Sequence, residues 1–268
     1  MVLHPQPMLV ALDFDGTLLR TDQSISDATL AALADVVDRG GHVIGATGRP
    51  PALADPIASM VPSMSYLISN NGALTVRLAD RLTVADVTMP LSDAVSAILR
   101  VRELLPGVGI AVDQVGVEAE RSQVWEDGFA DLVPNAPLGS MVDDVLDHLT
   151  NEVRKVLVFR DDLSVPELLS ATSGMLGDGL AATHSGLEFI EVAPPGVSKA
   201  SALEQLRLQL GVAAEDTVAF GDAHNDIEML NWAHSGVAMA NADEETRRHA
   251  DAITASNDDD GIAAWLRN

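Results

Sequence analysis

The apolar run Met8-Leu9-Val10-Ala11-Leu12 stops abruptly at the polar loop Asp13-Phe14-Asp15-Gly16-Thr17. The same junction recurs at His42–Ala46 before Thr47-Gly48-Arg49-Pro50, at Tyr66-Leu67-Ile68 before Ser69-Asn70-Asn71-Gly72, and at Thr217–Phe220 before Gly221-Asp222. Apolar runs this short, bounded by Gly, Pro and Asn, read as buried strands, and helical patterns separate them. That alternation constrains the chain to an α/β fold, a parallel sheet with crossover helices. In such a sheet ligands bind beyond the carboxyl ends of the strands. The loops Asp13–Thr17, Thr47–Arg49 and Gly221–Asp226 are therefore expected along one edge.

The intervening segments carry helix signals. Ser26 is expected to cap a helix with Leu30, Leu33, Ala34 and Val37 on one face, ended by Gly40-Gly41. From about residue 83 the pattern changes to a helix at Leu91–Leu105, a hairpin within Gly109–Glu120, and strands at Val153–Phe159 and Leu187–Val192. After Pro194-Pro195-Gly196 the first pattern resumes. Ser198 caps a helix bearing Ala202, Leu203, Leu206 and Leu210, which Gly211 ends. Short strands at Gly236–Met239 and Ala252–Thr254 and a last helix ending at Leu266 follow. The reading is one α/β domain, residues 1–82 and 192–268, interrupted by an inserted α/β domain at 83–191.

Composition narrows the function. The formal net charge is −24, from 16 Lys and Arg against 40 Asp and Glu, a surface that repels nucleic acid and anionic membranes. The same field opposes a phosphorylated substrate, so a metal ion and a few placed cations must attract it locally. The absence of cysteine excludes disulfides and thiolate chemistry. The least charged stretch, residues 50–76, is broken by prolines at 50, 51, 56 and 62 and cannot span a membrane. A soluble, cytoplasmic protein is expected.

Asp13 and Asp15 stand two apart at a strand exit and so point to one side. Their mutual repulsion is relieved most simply by a divalent cation, and Gly16 permits a sharp departure of the backbone. A turn with solvated acids is the alternative. A calcium loop is not, because Leu18 and Leu19 fill the loop interior and Ser24 occupies the twelfth position. Gly221–Asp226 adds two acids and an amide where a helix cap needs one residue. Thr47 and Gly48 offer a hydroxyl and a close backbone approach to a phosphate oxygen. Lys199 lies at a helix start, where charge and dipole both favour an anion. Each has a plainer reading as a cap, a surface arginine or a solvated lysine. The ordered combination, each member at an element boundary, favours a site.

The segments Asp13–Leu19, Thr47–Pro50, Ser69–Ala73, Pro195–Lys199, Gly221–Leu230 and Ser256–Ala263 together resemble the haloacid dehalogenase superfamily of phosphatases, in its Cof-type branch. The resemblance implies a Rossmann-like core and a mobile α/β cap inserted between the second and third motifs. It implies that Asp13 is the nucleophile, forming an aspartyl-phosphate, and that Asp15 is the general acid and base. It assigns Mg²⁺ to Asp13, the main-chain carbonyl of Asp15, and Asp222. Thr47, Gly48, Lys199 and Asn225 would hold the phosphoryl group, with Arg49, Asn71 and Asp226 in support. Ala200 and Ala240 stand where this branch is expected to carry glycine. His224 reads as a solvated loop histidine, and Asp258–Asp260 as helix capping and dipole matching.

The expected function is Mg²⁺-dependent hydrolysis of small phosphorylated metabolites, with sugar phosphates foremost, and no nucleic-acid or membrane partner. A phosphomutase or phosphotransferase on the same scaffold is the alternative, and a non-catalytic metabolite sensor a third. Selection of the substrate falls to the insert, where Glu118, Glu120, Arg121, Arg160 and His184 are candidates only in being polar, with surface exposure the plainer reading of each.

Overall fold

The computed structural model describes residues 8–115, 123–126, 129, 139–174, 176, 179–184 and 188–267. In chain order it contains β1 (Leu9–Leu12), α1 (Asp27–Asp38), β2 (His42–Ala46), α2 (Pro51–Ala58), β3 (Met64–Ser69), β4 (Leu74–Arg77), β5 (Leu82–Asp86) and α3 (Leu91–Leu104). Then come β6 (Gly109–Gln114), β7 (Gln123–Trp125), β8 (Ser140–Met141), β9 (Val153–Phe159), α4 (Val165–Ser173), β10 (Ala181–Thr183) and β11 (Ile190–Ala193). The chain finishes with α5 (Lys199–Leu210), β12 (Thr217–Gly221), α6 (Ile227–Trp232), β13 (Ser235–Ala238), α7 (Glu244–Arg248), β14 (Ala252–Ile253) and α8 (Gly261–Leu266). It separates into two compact units: residues up to Ala85 with those from Ser198 onward, and Asp86–Val197.

The first unit is built on one sheet in the order β14-β13-β12-β1-β2-β3-β4-β5. The ladders from β14 to β3 are parallel, and β4 returns antiparallel to β3. Helices cover both faces, which is why β1 is buried at every residue rather than at alternate ones. Val10 and Leu12 pack with α1 residues Ala32, Leu33 and Val36. Leu9 and Ala11 pack on the opposite face with Ala202, Leu203 and Leu206 of α5. The chain runs from β1 to β2 and β3 on one side, and β12 returns on the other. This is a reversal of strand order, and it puts the crevice at the carboxyl ends of β1 and its neighbours.

The second unit has a six-stranded sheet, β10-β11-β9-β6-β7-β8. Ile98 and Val101 of α3 and Leu168 of α4 pack with Ile110, Val112, Val156 and Val158. Ala111, Phe129 and Phe189 form a separate cluster with Leu157 and Phe159. Lys155 and Glu191 form a buried ion pair at 3.2 Å. No helix among the described residues is long and apolar enough to cross a membrane.

Several expectations change in detail. The buried stripe of α1 is Thr29, Ala32, Leu33 and Val36, and Ala34 is exposed. Leu30 and Val37 lie only at the margin of that stripe, because the helix is rolled by roughly one residue toward the sheet. Of the strand expected at Leu187–Val192, Leu187 lies outside the described residues, and the strand observed is Ile190–Ala193, paired with β9 and β10. β6 pairs antiparallel with β7, while the expected turn near Gly116, with Glu118, Glu120 and Arg121, lies outside the described residues. Arg160 is engaged by its neighbour Asp162, and His184 is partly buried.

The two units carry separate cores, so their defects should be independent. Leu33→Ala in the first and Ile98→Ala in the second should each cost about 2–5 kcal/mol. In guanidinium titrations each loss should appear in the transition of its own unit, and the double variant should show both without interaction beyond ~0.5 kcal/mol.

Candidate active site

Four adjacent parallel strands, β12, β1, β2 and β3, end on Asp222, Asp13, Thr47 and Asn70. Their shared direction brings four polar loops to one edge of the first unit. Asp13 is fixed at its main chain by donating to Phe220 O at 3.1 Å. The loop behind it is an irregular tight turn in which Gly16 has φ of 73°. A methyl group on Gly16 would lie 2.2 Å from Asp222 Oδ2, so glycine is needed both for the backbone angle and for that approach. Thr17 Oγ1 donates to Asp222 Oδ1 at 2.7 Å and draws the loops after β1 and β12 together.

Lys199, the first residue of α5, is 1% exposed. Its Nζ donates to Asp13 Oδ1 and to Asp226 Oδ1, both at 2.6 Å. Ser198 caps the helix by accepting from Ser201 N, and so fixes where Lys199 begins. Asp226, wholly buried, has its other oxygen occupied too, since Oδ2 accepts from the amides of Asp222 and Ala223 at 3.0 Å each. Burial alone would lower the lysine's pKa, but Asp13 and Asp226 outweigh it and hold the ammonium charged. Burial, with Asp226 adding to it, pushes the Asp13 carboxyl well above the ordinary range against the pull of Lys199. Burial likewise pushes Asp222 up to about 6, against the Thr17 hydrogen bond.

Asp13, Asp222 and Asp226 each bring an oxygen within 4.8 Å of the others, an arrangement able to hold a metal ion. Three carboxylates against one ammonium leave excess negative charge in a buried place, and a divalent cation fits that imbalance. Asp226 is a poor ligand, because both its oxygens already accept hydrogen bonds. Asp13 and Asp222 are the better donors.

The remaining sequence candidates lie around this centre. Asp15 is half exposed, and Arg49 grips its carboxylate through Nε at 2.7 Å and Nη2 at 2.5 Å. Thr47 is buried, and its Oγ1 accepts from Arg49 N at 3.1 Å. Gly48 lies against the amide of Asn71, whose Oδ1 accepts from Asn225 Nδ2 at 3.0 Å. His224 Nδ1 is 3.6 Å from a Glu245 carboxylate oxygen, on a partly exposed loop.

Two supports were not anticipated. Asn241, at the exit of β13, donates through Nδ2 to Gly16 O at 2.7 Å and accepts from Asn257 N at 3.0 Å. Asn257 Nδ2 donates to Leu19 O at 2.9 Å. The available signal was an asparagine at a strand exit, as at Asn70. Asp258 and Asp260 correct the capping expectation. Asp258 accepts from Thr21 N and Oγ1, and Asp260 from Arg20 Nη2 at 2.5 Å. Asp260 makes no side-chain cap to α8. These carboxylates answer the donors of the loop after β1.

A pH dependence follows from Asp222. Burial lifts its folded pKa to about 6, above the ordinary aspartate range, so the folded protein holds this proton more tightly than the unfolded chain. The associated stability is fully present below about pH 4 and is lost as pH rises toward 6, by about 3 kcal/mol. A divalent cation binds the ionised form and offsets that loss. Melting measured with chelator should therefore fall between pH 4 and 6 more steeply than in Asp222→Asn. Stabilisation by added Mg²⁺ should grow over the same interval.

Three comparisons bear on this site. A family model described as haloacid dehalogenase-like hydrolase matches residues 10–266. The chain is 30% identical to the 5-amino-6-(5-phospho-D-ribitylamino)uracil phosphatase YitU of Bacillus subtilis (strain 168), over 99% of this chain and 98% of that protein. It is 32% identical to the HMP-PP phosphatase of Serratia proteamaculans (strain 568), over 87% of this chain and 84% of that one. Among solved structures, the HAD subclass IIB sugar phosphatase BT4131 superposes with a TM-score of 0.78 at 25% identity, covering 97% of each chain. With the model match spanning nearly the whole sequence, the chain belongs to the haloacid dehalogenase superfamily, as a phosphatase of its Cof-type branch.

Proposed function

We propose that the protein hydrolyses small phosphomonoesters in a Mg²⁺-dependent reaction with Asp13 as nucleophile, and that sugar phosphates or phosphorylated sugar alcohols are its leading substrates. The observation that carries the chemistry is the Lys199–Asp13 contact at 2.6 Å. It fixes one carboxylate oxygen, Oδ1, and leaves Oδ2 as the attacking atom.

In the first half-reaction Asp13 Oδ2 bonds to phosphorus while the bond from phosphorus to the leaving oxygen breaks. Asp15 gives its proton to that oxygen, and an aspartyl-phosphate remains. In the second, Asp15 takes a proton from water as the water oxygen bonds to phosphorus. The bond to Asp13 breaks, returning the carboxylate and releasing inorganic phosphate. Asp15 is about half exposed and so within reach of a leaving group and of water, and the shuttle requires Arg49, which holds both its oxygens, to release one of them. The Thr47 hydroxyl, the Gly48 backbone, Asn225 and the Lys199 ammonium are assigned to the phosphoryl oxygens, where they stabilise charge spreading in the transition state. Mg²⁺, held by Asp13, the main-chain carbonyl of Asp15 and Asp222, would supply positive charge against both the acid cluster and the transferring group.

The substrate class rests on what the relatives act on. YitU is named for a phosphorylated ribityl compound and BT4131 for sugar phosphates. Both present a phosphate ester on a polyhydroxylated chain or ring.

Asp13→Asn should lower turnover of a generic phosphomonoester by ~10³-fold or more in the presence of Mg²⁺, as read by release of inorganic phosphate. Unchanged turnover would overturn the proposed nucleophile. A panel of phosphorylated sugars and sugar alcohols should yield stoichiometric phosphate, whereas isomer interconversion without phosphate release would identify a phosphomutase.

A further inference from the structure

The segment after β3 holds three consecutive residues in the left-handed region, Asn70, Asn71 and Gly72, with φ of 52°, 53° and 108°. Non-glycine residues adopt such angles uncommonly, and two in succession inside a buried segment require their surroundings to hold them. A plain explanation is available in part. β3 and β4 are antiparallel, with Ser69 opposite Leu74, and so tight a connection calls for positive φ.

A hairpin turn does not account for where its side chains and amides go. Asn71 N donates to Thr47 O at 3.0 Å, and Asn70 N donates to Arg49 O at 3.0 Å. The turn thus takes both ends of the Thr47-Gly48-Arg49 loop. Asn71, 7% exposed, lies against Gly48, where a methyl group would come within 3.0 Å of Asn71 Oδ1. Its Oδ1 also accepts from Asn225 Nδ2 at 3.0 Å, across 154 positions of sequence. Asn225 lies between Asp222 and Asp226. Gly72 presses on the residue before Lys199, since a methyl group there would lie 2.2 Å from Ser198 O. One turn therefore touches the three segments that carry Thr47, Lys199 and the Asp222–Asp226 acids.

We infer that Asn71 is a positioning residue whose amide, acting through Asn225, sets the spacing between the Thr47–Gly48 loop and the loop of Asp222 and Asp226. This rests on the phosphatase assignment for that same site. Asn71 touches Gly48 and Asn225, the groups assigned to the phosphoryl oxygens, and its left-handed backbone is what aims the amide between them. A shift in that spacing moves the phosphoryl-binding groups away from the Asp13–Lys199 pair and lowers turnover more than substrate binding.

Asn71→Gly separates the side chain from the backbone, because glycine tolerates the left-handed angle and deletes only the amide. In the full chain with Mg²⁺ and 4-nitrophenyl phosphate, kcat should fall by ~10–100-fold with KM changed by less than ~3-fold. Asn225→Ala, which also removes a group assigned to the phosphoryl oxygens, should lower kcat at least as far, and the double variant should be no worse than Asn225→Ala alone. Amide hydrogen exchange should accelerate at residues 47–49 and 222–226 but not in β1. Asn71→Asp, which keeps an acceptor for Asn225, should retain slow exchange at both segments. Wild-type exchange and kcat in Asn71→Gly, or additive losses in the double variant, would overturn the inference. An inactive wild-type protein would instead sink the phosphatase assignment, and the exchange measurements would still decide the role of Asn71.

Discussion

Lys199 lies between Asp13 and Asp226 with its ammonium 2.6 Å from each carboxylate, and the first unit is arranged around that contact. Removing one partner of a buried ion pair costs far more than the pair contributes, because an uncompensated charge is left behind. The surrounding structure accordingly fixes all three groups. Asp13 is held by the β1–β12 ladder and Lys199 by a serine-capped helix start. Asp226 is held by two backbone amides, and a methyl group on Gly221 would come within 2.5 Å of its Cβ. Geometry this constrained presents one oxygen of Asp13 in one place.

Charge gives the second organising constraint. A chain with net charge −24 places Asp13, Asp222 and Asp226 together beside one lysine. The energetic cost is visible in Asp13 and Asp222, both of which resist ionisation because they are buried. Such a cluster could hold a cation, and binding one would offset this cost. Arg49 deals separately with Asp15 through a two-pronged ion pair outside the buried cluster. The two acids of the first motif are therefore placed in different electrostatic surroundings although they are two residues apart, the condition that lets like groups take different parts in one reaction.

The third constraint is the bracing of irregular backbone. The tight turn after Asp13 has few regular hydrogen bonds of its own. It is held from outside by Asn241 on Gly16, Asn257 on Leu19, and Asp258 and Asp260 on Thr21 and Arg20. The left-handed turn after β3 plays the corresponding part for the Thr47 loop. Strained or irregular backbone survives only where its neighbours over-determine it.

The sequence by itself determined the class of fold and the order of the site loops. Short apolar runs ending in polar loops are a local pattern, and the rule that ligands bind beyond parallel strand ends turns that pattern into a location. Asp13, Thr47, Lys199 and Asp222 were legible as candidates because each stands at an element boundary. Tertiary structure alone decided which oxygen of each acid has which partner. The Lys199–Asp13 contact spans 186 positions, Thr17–Asp222 spans 205 and Arg20–Asp260 spans 240. No local periodicity encodes such pairings. The same holds for the contact of Asp226, expected only in support, directly with the Lys199 ammonium, and for Asp258 and Asp260, which brace a distant loop instead of capping their own helix. It holds also for Asn241, whose task depends on which loop the fold brings beside it. A residue's type and its place at a strand end are written in the chain, but its hydrogen-bond partner is set by which other strand ends lie next to it in the sheet.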